Sequence, residues 1–141
     1  MYSIALDGSH IYVGGSFTEV TGVLQPRLAR VSTVDGTADT SFDPQLNAAV
    51  HRVASFGNGI VYLGGTQLTD INDEVRLGFA LLDASGGVLA AIDVLHPGSV
   101  YALTRLPGNG GMLVGGNFYF ANASSRRNLL KLDSNGLLDP T

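Results

Sequence analysis

Ile11-Tyr12-Val13-Gly14-Gly15 recurs as Val61-Tyr62-Leu63-Gly64-Gly65 and again as Met112-Leu113-Val114-Gly115-Gly116. The glycine pairs begin at 14, 64 and 115, so the period is 50 and then 51 residues. A unit of this length, built of short apolar runs and repeated along the chain, has the dimensions of a four-stranded propeller blade.

Working outward, an apolar segment precedes each pair: Tyr2-Ser3-Ile4-Ala5-Leu6, His51-Arg52-Val53-Ala54-Ser55-Phe56 and Tyr101-Ala102-Leu103-Thr104-Arg105-Leu106. Ile4, Val53 and Leu103 fall at one repeat position. Between this segment and the Gly-pair run lie Asp7-Gly8-Ser9, Gly57-Asn58-Gly59 and Gly108-Asn109-Gly110. Glycine and asparagine reach the positive φ of tight hairpins, so the two runs are expected to pair as neighbouring strands. Beyond each glycine pair comes a polar stretch with two apolar anchors: Phe17 and Val20, Leu68 and Ile71, Phe118 and Ala121. A third strand follows at 28–31, 79–82 and 129–132, then a turn at Asp35-Gly36, Gly86-Gly87 and Asn135-Gly136. A fourth strand is clear at 88–94, weak at 38–42, and incomplete in the third copy.

The expected fold is all-β: a β-propeller segment of about three four-stranded blades, at 1–47, 48–97 and 98–141, the third truncated. No sustained spacing of three and four apolar residues competes as a helix. The second strand of each copy is apolar at consecutive positions, as in strands covered on both faces. This predicts that Val13, Leu63 and Val114 are buried. It also predicts that the outer faces of the row seek a partner, either further blades of a parent chain or a homo-oligomer, because large bare apolar patches mark interfaces.

The charge balance is mild, 8 basic against 12 acidic residues, and offers no clustered basic face for a nucleic acid. The chain has no cysteine, which removes disulfides and thiolate metal sites. No apolar run reaches the length of a membrane span.

The pattern Ile11-Tyr12-Val13-Gly14-Gly15-Ser16-Phe17-Thr18, with Gly22, Arg27-Leu28-Ala29-Arg30-Val31, Asp35-Gly36, Asp39 and Ser41-Phe42-Asp43-Pro44, resembles the delta-60 repeat of large bacterial surface or secreted proteins. Kelch-like repeats of fungal cortical polarity markers are similar. The third copy keeps the Gly pair, Asn117-Phe118, Arg126, Asn128-Leu129, Gly136 and Asp139-Pro140. The second departs most, with Thr66-Gln67-Leu68 and Ala91-Ile92-Asp93-Val94 where Ser-Phe-Thr and a Ser-Phe-x-Pro ending are expected. The resemblance implies a propeller in a long extracellular or cell-surface protein and supplies no catalytic residue.

Candidate chemistry is sparse. Asp133-Ser134-Asn135-Gly136-Leu137-Leu138-Asp139 has oxygen ligands around a glycine, as in part of a calcium loop, but lacks the downstream bidentate Glu. A hairpin turn with Asp and Asn capping amides accounts for it. His10, His51 and His96 fall at different repeat positions, whereas a metal site requires convergence. His51 shares the position of Tyr2 and Tyr101 and is expected to be a semi-buried strand residue. Arg27, Arg76 and Arg126 precede the third strand, at a shifted offset in the first copy, and are expected to tie the loop to carbonyls or a carboxylate. Asn122-Ala123-Ser124 is a glycosylation sequon. No catalytic spacing, cofactor or metal is expected. The loops 16–27, 66–76 and 117–128 follow the same strand in each copy and form the expected contact surface, with Glu19, Asp70, Asp73, Glu74, Tyr119 and Arg126 as binding residues. The function so read is a non-enzymatic repeat scaffold for an unknown protein or carbohydrate ligand. The alternatives are a propeller-based hydrolase or lyase fragment with its site at the channel mouth, for which the asymmetric 70–74 loop is the best pointer, and a purely architectural stalk.

Overall fold

The structure, a computed structural model, describes residues 1–89, 94–95, 98–108, 110–121 and 124–140. The first repeat contains β1 (Ser3–Asp7), β2 (His10–Gly14), the short pair β3 (Glu19–Val20) and β4 (Val23–Leu24), and β5 (Leu28–Ser32). The second contains β6 (Val50–Ser55), β7 (Val61–Gly65), the pair β8 (Asp70–Ile71) and β9 (Glu74–Val75), β10 (Phe79–Leu82) and β11 (Val88–Leu89). Then come β12 (Val94–Leu95), β13 (Ser99–Arg105), β14 (Met112–Asn117), β15 (Phe120–Ala121), β16 (Ser124–Ser125) and β17 (Leu129–Leu132).

Three antiparallel sheets, β1-β2-β5, β6-β7-β10-β11 and β13-β14-β17, are the blades. Their registers repeat: Ile4 opposes Val13, Val53 opposes Leu63, and Leu103 opposes Val114. In the second and third blades the ladder shifts at His51 and Tyr101, an extra residue that bends the first strand. In blades one and three the fourth strand is a single bridge, Val31 to Ala38 and Leu132 to Leu138. In blade two it is Val88–Leu89; residues 90–93 of the expected 88–94 strand lie outside the described residues. Val94–Leu95 does not extend that strand. It pairs instead with β15, Val94 to Ala121 and Leu95 to Phe120.

Two cores lie between the blades. Side chains alternate across a strand, so each blade sends one set backward and the other forward. From blade one Tyr12 and Leu28 go forward, where Val53, Val61, Leu63, Ala80 and Leu82 of blade two meet them, with Phe42 and Leu46 of the connection between. From blade two Tyr62, Phe79 and Leu81 go forward to meet Val100, Met112, Val114, Leu130 and Leu132. All five residues of β7 are therefore buried. Of the three second strands β7 alone is covered on both faces, and β10 beside it in the same blade is covered likewise. Val13, expected to be buried, is half-exposed, because it faces backward and blade one has no blade behind it among the described residues; Ile4 on the same face is 55% exposed. Leu63 and Val114 are fully buried as expected.

A second repeating device closes each loop. The Gly15 amide donates to Arg27 O (2.9 Å) and the Arg27 amide to Phe17 O (3.0 Å). The same two bonds join Gly65, Gly78 and Leu68, and Gly116, Asn128 and Phe118. Arg27, Gly78 and Asn128 all take left-handed φ, at 70°, 77° and 64°. Glycine and asparagine suit this conformation; an arginine there is uncommon. Arg27 is thus the structural counterpart of Gly78, not of Arg76 and Arg126. The true counterpart of those arginines is Gln25, which corrects the expected series. Glutamine at that place is not visible from residue type.

Candidate functional site: the hairpin edge

After each glycine pair the chain folds into a small hairpin. In β3-β4 the turn is Thr21-Gly22, at φ 49° and 79°; in β8-β9 it is Asn72-Asp73, at 52° and 62°. Positive φ at both central residues is the type I′ geometry, which matches the twist of the flanking strands. By composition these segments are expected to be loops. The signals that reveal them are Thr21-Gly22 between Val20 and Val23, and Asn72-Asp73 between Ile71 and Glu74. Asn122 and Ala123, between β15 and β16, lie outside the described residues.

The connection from the preceding blade is laid along each hairpin. Leu46 bridges Ile71, as Val94 pairs with Ala121 in the next repeat. Asn47 Oδ1 accepts from the amides of Thr69 (3.1 Å) and Asp70 (3.2 Å), and its Nδ2 donates to Thr69 Oγ1 (2.6 Å). Asn72 Oδ1 accepts from the Gln45 amide (2.9 Å), and its Nδ2 donates to Gly86 O (2.8 Å). The anchors Leu68, Ile71 and Phe118 are consequently buried, whereas Phe17 and Val20 are half-buried. Between the first hairpin and the 43–46 connection lies a hollow of about 310 Å³, lined by Leu24, Pro26, Arg27, Asp43, Gln45 and Leu46. Arg27 Nη1 donates to Leu46 O across it (2.7 Å).

The six expected binding residues divide on this edge. Glu19 and Asp73 are exposed and Asp70 is half-buried; their carboxylates have no hydrogen bond or ion pair among the described residues. Glu74 is exposed but holds Arg76 (2.7 Å). Tyr119 is exposed, with the Arg127 guanidinium 5.6 Å from its ring centre. Arg126 is half-buried and donates to Pro140 O (2.9 Å). Gln25, at the same repeat position, is buried and donates to Asp39 O (2.5 Å) and Phe42 O (2.8 Å). Both side chains tie the loop to the segment after the second turn. Arg76 donates to Val75 O (2.7 Å) and pairs with Glu74, so all three arginines of the expected series bind carbonyls.

The turn at 133–137 is held by its own carboxylate: Asp133 Oδ1 accepts from the amides of Asn135 (2.8 Å) and Leu137 (2.9 Å). Asp83 does the same for Ser85 (2.8 Å) and Gly87 (3.0 Å), a recurrence visible as an Asp three residues before Gly86 and Gly136. Hydrogen bonds within the turns hold both carboxyls below the usual range, Asp133 chiefly through the Leu137 amide and Asp83 chiefly through the Ser85 hydroxyl. Among the described residues no three His, Cys, Asp or Glu side chains gather as a metal site requires. His51 lies half-buried under Tyr2, rings 5.1 Å apart, with Nε2 2.9 Å from Thr66 Oγ1. His10 Nδ1 lies 3.3 Å from the Ser9 hydroxyl, and His96 lies outside the described residues.

One ion pair recurs across the third strand. Arg30 Nε and Nη2 donate to Asp39 Oδ2 at 3.0 and 2.5 Å, and Lys131 Nζ meets Asp139 at 2.7 Å. In blade two the equivalent pair is Leu81 and Leu89, packed into the second core. The Ser41 hydroxyl and then Arg30 lower the Asp39 pKa from 3.8 to about 2. A depressed carboxylate stabilises the fold above its unfolded pKa and loses that contribution as pH falls toward the folded value. Stability is therefore expected to fall between pH 4 and 2, with up to ~2 kcal/mol of the loss belonging to Asp39. Asp39→Asn should flatten the acid limb of a urea-midpoint-against-pH curve; an unchanged limb would show that Asp39 does not carry it.

Residues 9–42 and 108–141 match the model of a family described as a domain of unknown function (DUF5122) beta-propeller. The matched stretches fall in blades one and three, the copies with the ionic pair across the third strand. The match supports a propeller-type repeat family without singling out the delta-60 repeat. No curated protein and no solved structure matches the chain. Sheets, repeat and family match together define an all-β partial propeller, a repeat scaffold. No described helix is long and apolar enough to cross a membrane.

Proposed function

We propose that this chain is a non-enzymatic repeat scaffold of the delta-60, kelch-like kind, displaying its hairpin edge to a protein or glycan partner outside the cell. The observation that carries this reading is the division of labour on that edge. Asn47, Asn72, Gln25 and Arg126 are consumed in stiffening the hairpins, while Glu19, Asp70 and Asp73 leave their carboxylates unengaged among the described residues. Tyr119 adds an exposed ring under a guanidinium. Polar groups and aromatics on rigid supports are what recognition surfaces use. The extracellular setting rests on the resemblance of the repeat alone.

The test is a glycan microarray and a displayed-peptide library probed with the labelled chain. For any ligand found, Asp73→Ala and Tyr119→Ala are expected to weaken binding tenfold or more. Arg126→Ala should lower stability as well as affinity. A ligand whose affinity survives the first two substitutions binds elsewhere and overturns this surface.

A further inference from the structure

Each junction between blades contains a glycine slot. A Cβ on Gly14 would lie 2.8 Å from Val50 Cγ1 and 3.0 Å from Val53 Cγ1 of the next blade. A Cβ on Gly64 would lie 2.7 Å from Val100 Cβ. These glycines are small because a valine of the following first strand sits against them. Gly115 is the third member of the series. A Cβ there meets only its own blade, Ala102 Cβ at 3.6 Å and Asn128 O at 3.9 Å, both ordinary contacts. The slot exists and nothing in the described structure fills it.

The rest of the forward face of blade three is open in the same manner. Tyr12 and Leu28 of blade one are 1% exposed, and Tyr62 and Phe79 of blade two 2% and 1%. Their counterparts Leu113 and Leu129 are half-exposed and 58% exposed. They line a hollow of about 270 Å³ with Arg126, Leu130 and Lys131. Tyr2 stacks on His51 across the first junction, and Tyr101, at the same repeat position, is 48% exposed.

The complement is carried by the same chain. The backward face of blade one presents Ile4, Ile11 and Val13. Their counterparts are Val53, Val61 and Leu63, buried against blade one, and Leu103, Met112 and Val114, packed against blade two. Met1 stands at the repeat position of Val50 and Val100 and is 70% exposed. Both halves of one more junction are thus exposed among the described residues, on the backward face of blade one and the forward face of blade three.

We propose that a second copy of this chain docks head to tail, the backward face of its blade one on the forward face of blade three, with Met1 and Ile4 against Gly115 and Tyr2 over Tyr101. The occupant is a second copy because the missing half-junction is built from the same positions, and the same apolar residue class, that complete the two junctions seen within the chain. The contact continues the interface already present between blades. Heterologous contacts of this kind close into a ring or run on as a filament. Two copies supply about six blades, within the range at which propellers close.

Light scattering after size exclusion, with sedimentation equilibrium over a concentration series, tests this on the unmodified chain. The expected mass is twice 14.7 kDa or a higher multiple. Ile4→Asp spoils the backward face and Gly115→Val fills the slot. Each variant alone is expected to be monomeric, with the association constant reduced at least tenfold. Mixed, they retain one intact face each and should form a 1:1 heterodimer that grows no further. Non-specific adhesion of apolar surface would not stop at two. Leu6→Glu and Leu129→Glu, at side chains 67% and 58% exposed, replace either variant if it misfolds. A wild-type chain that stays at 14.7 kDa at every concentration, or a mixture that stays monomeric, overturns the proposal.

Discussion

Leu63→Ala should lower the free energy of unfolding by ~2–5 kcal/mol, through lost transfer energy and the cavity left in a core that cannot collapse. Val13→Ala, at the same repeat position one blade earlier, should cost under about 1 kcal/mol, because its side chain is already partly in water. Leu63 is 0% exposed and faces Tyr12, Leu28 and Phe42 in the first core, while Val13 is half-exposed on the backward face of blade one. Urea unfolding at protein concentrations too low for association measures both. Equal losses at the two sites would show that the backward face of blade one is covered within a single chain. At higher concentration the Val13 variant also reports on docking, since a second copy would bury that position.

Gly64→Ala is the second large effect. Its added methyl would press into Val100 Cβ at 2.7 Å, in the core between blades two and three, where Val100 itself is fully buried. Overpacking a close-packed site costs ~1–3 kcal/mol or more, and here the obstacle is a β-branched side chain with little rotamer freedom. Gly115→Ala meets only contacts of 3.6 and 3.9 Å, so it should be neutral, or gain ~0.4–1 kcal/mol from reduced unfolded-state freedom. Val100→Ala should restore part of what Gly64→Ala loses, giving a coupling above ~0.5 kcal/mol in a double-mutant cycle. Equal stabilities for the two glycine variants would mean that the blades do not pack through these slots.

Much of the local structure was legible because it depends on neighbours along the chain. The third strands begin and end where the apolar runs do in blades two and three, and the two-residue turn at Gly8-Ser9 falls where Asp7-Gly8-Ser9 places it. The hairpins at 19–24 and 70–75 were less legible: each strand is two residues long, too short for alternation to show. Of the candidate site, the position of these segments after each glycine pair was legible, and most side-chain partners were not. Arg126 ties its loop to a carbonyl as its place before the third strand suggests, but that the carbonyl is Pro140 O is set by the path of a distant segment, and the pairing of Glu74 with Arg76 is not visible from residue type.

The period of 50 and 51 residues, the strand and turn chemistry of each copy and the all-β class were determined by the sequence itself, since φ preferences and alternation act over a few residues. Which member of each equivalent set is buried was decided only in three dimensions. Val13, Leu63 and Val114 are near-identical in type and local setting, yet one is half in water and two are not. Burial belongs to a pair of surfaces, and whether a blade has a neighbour behind it is not written at the position that the neighbour would cover. The same holds for the glycine slots: Gly14, Gly64 and Gly115 read alike, and only the packing of Val50 and Val100 against the first two distinguishes a filled junction from an open one.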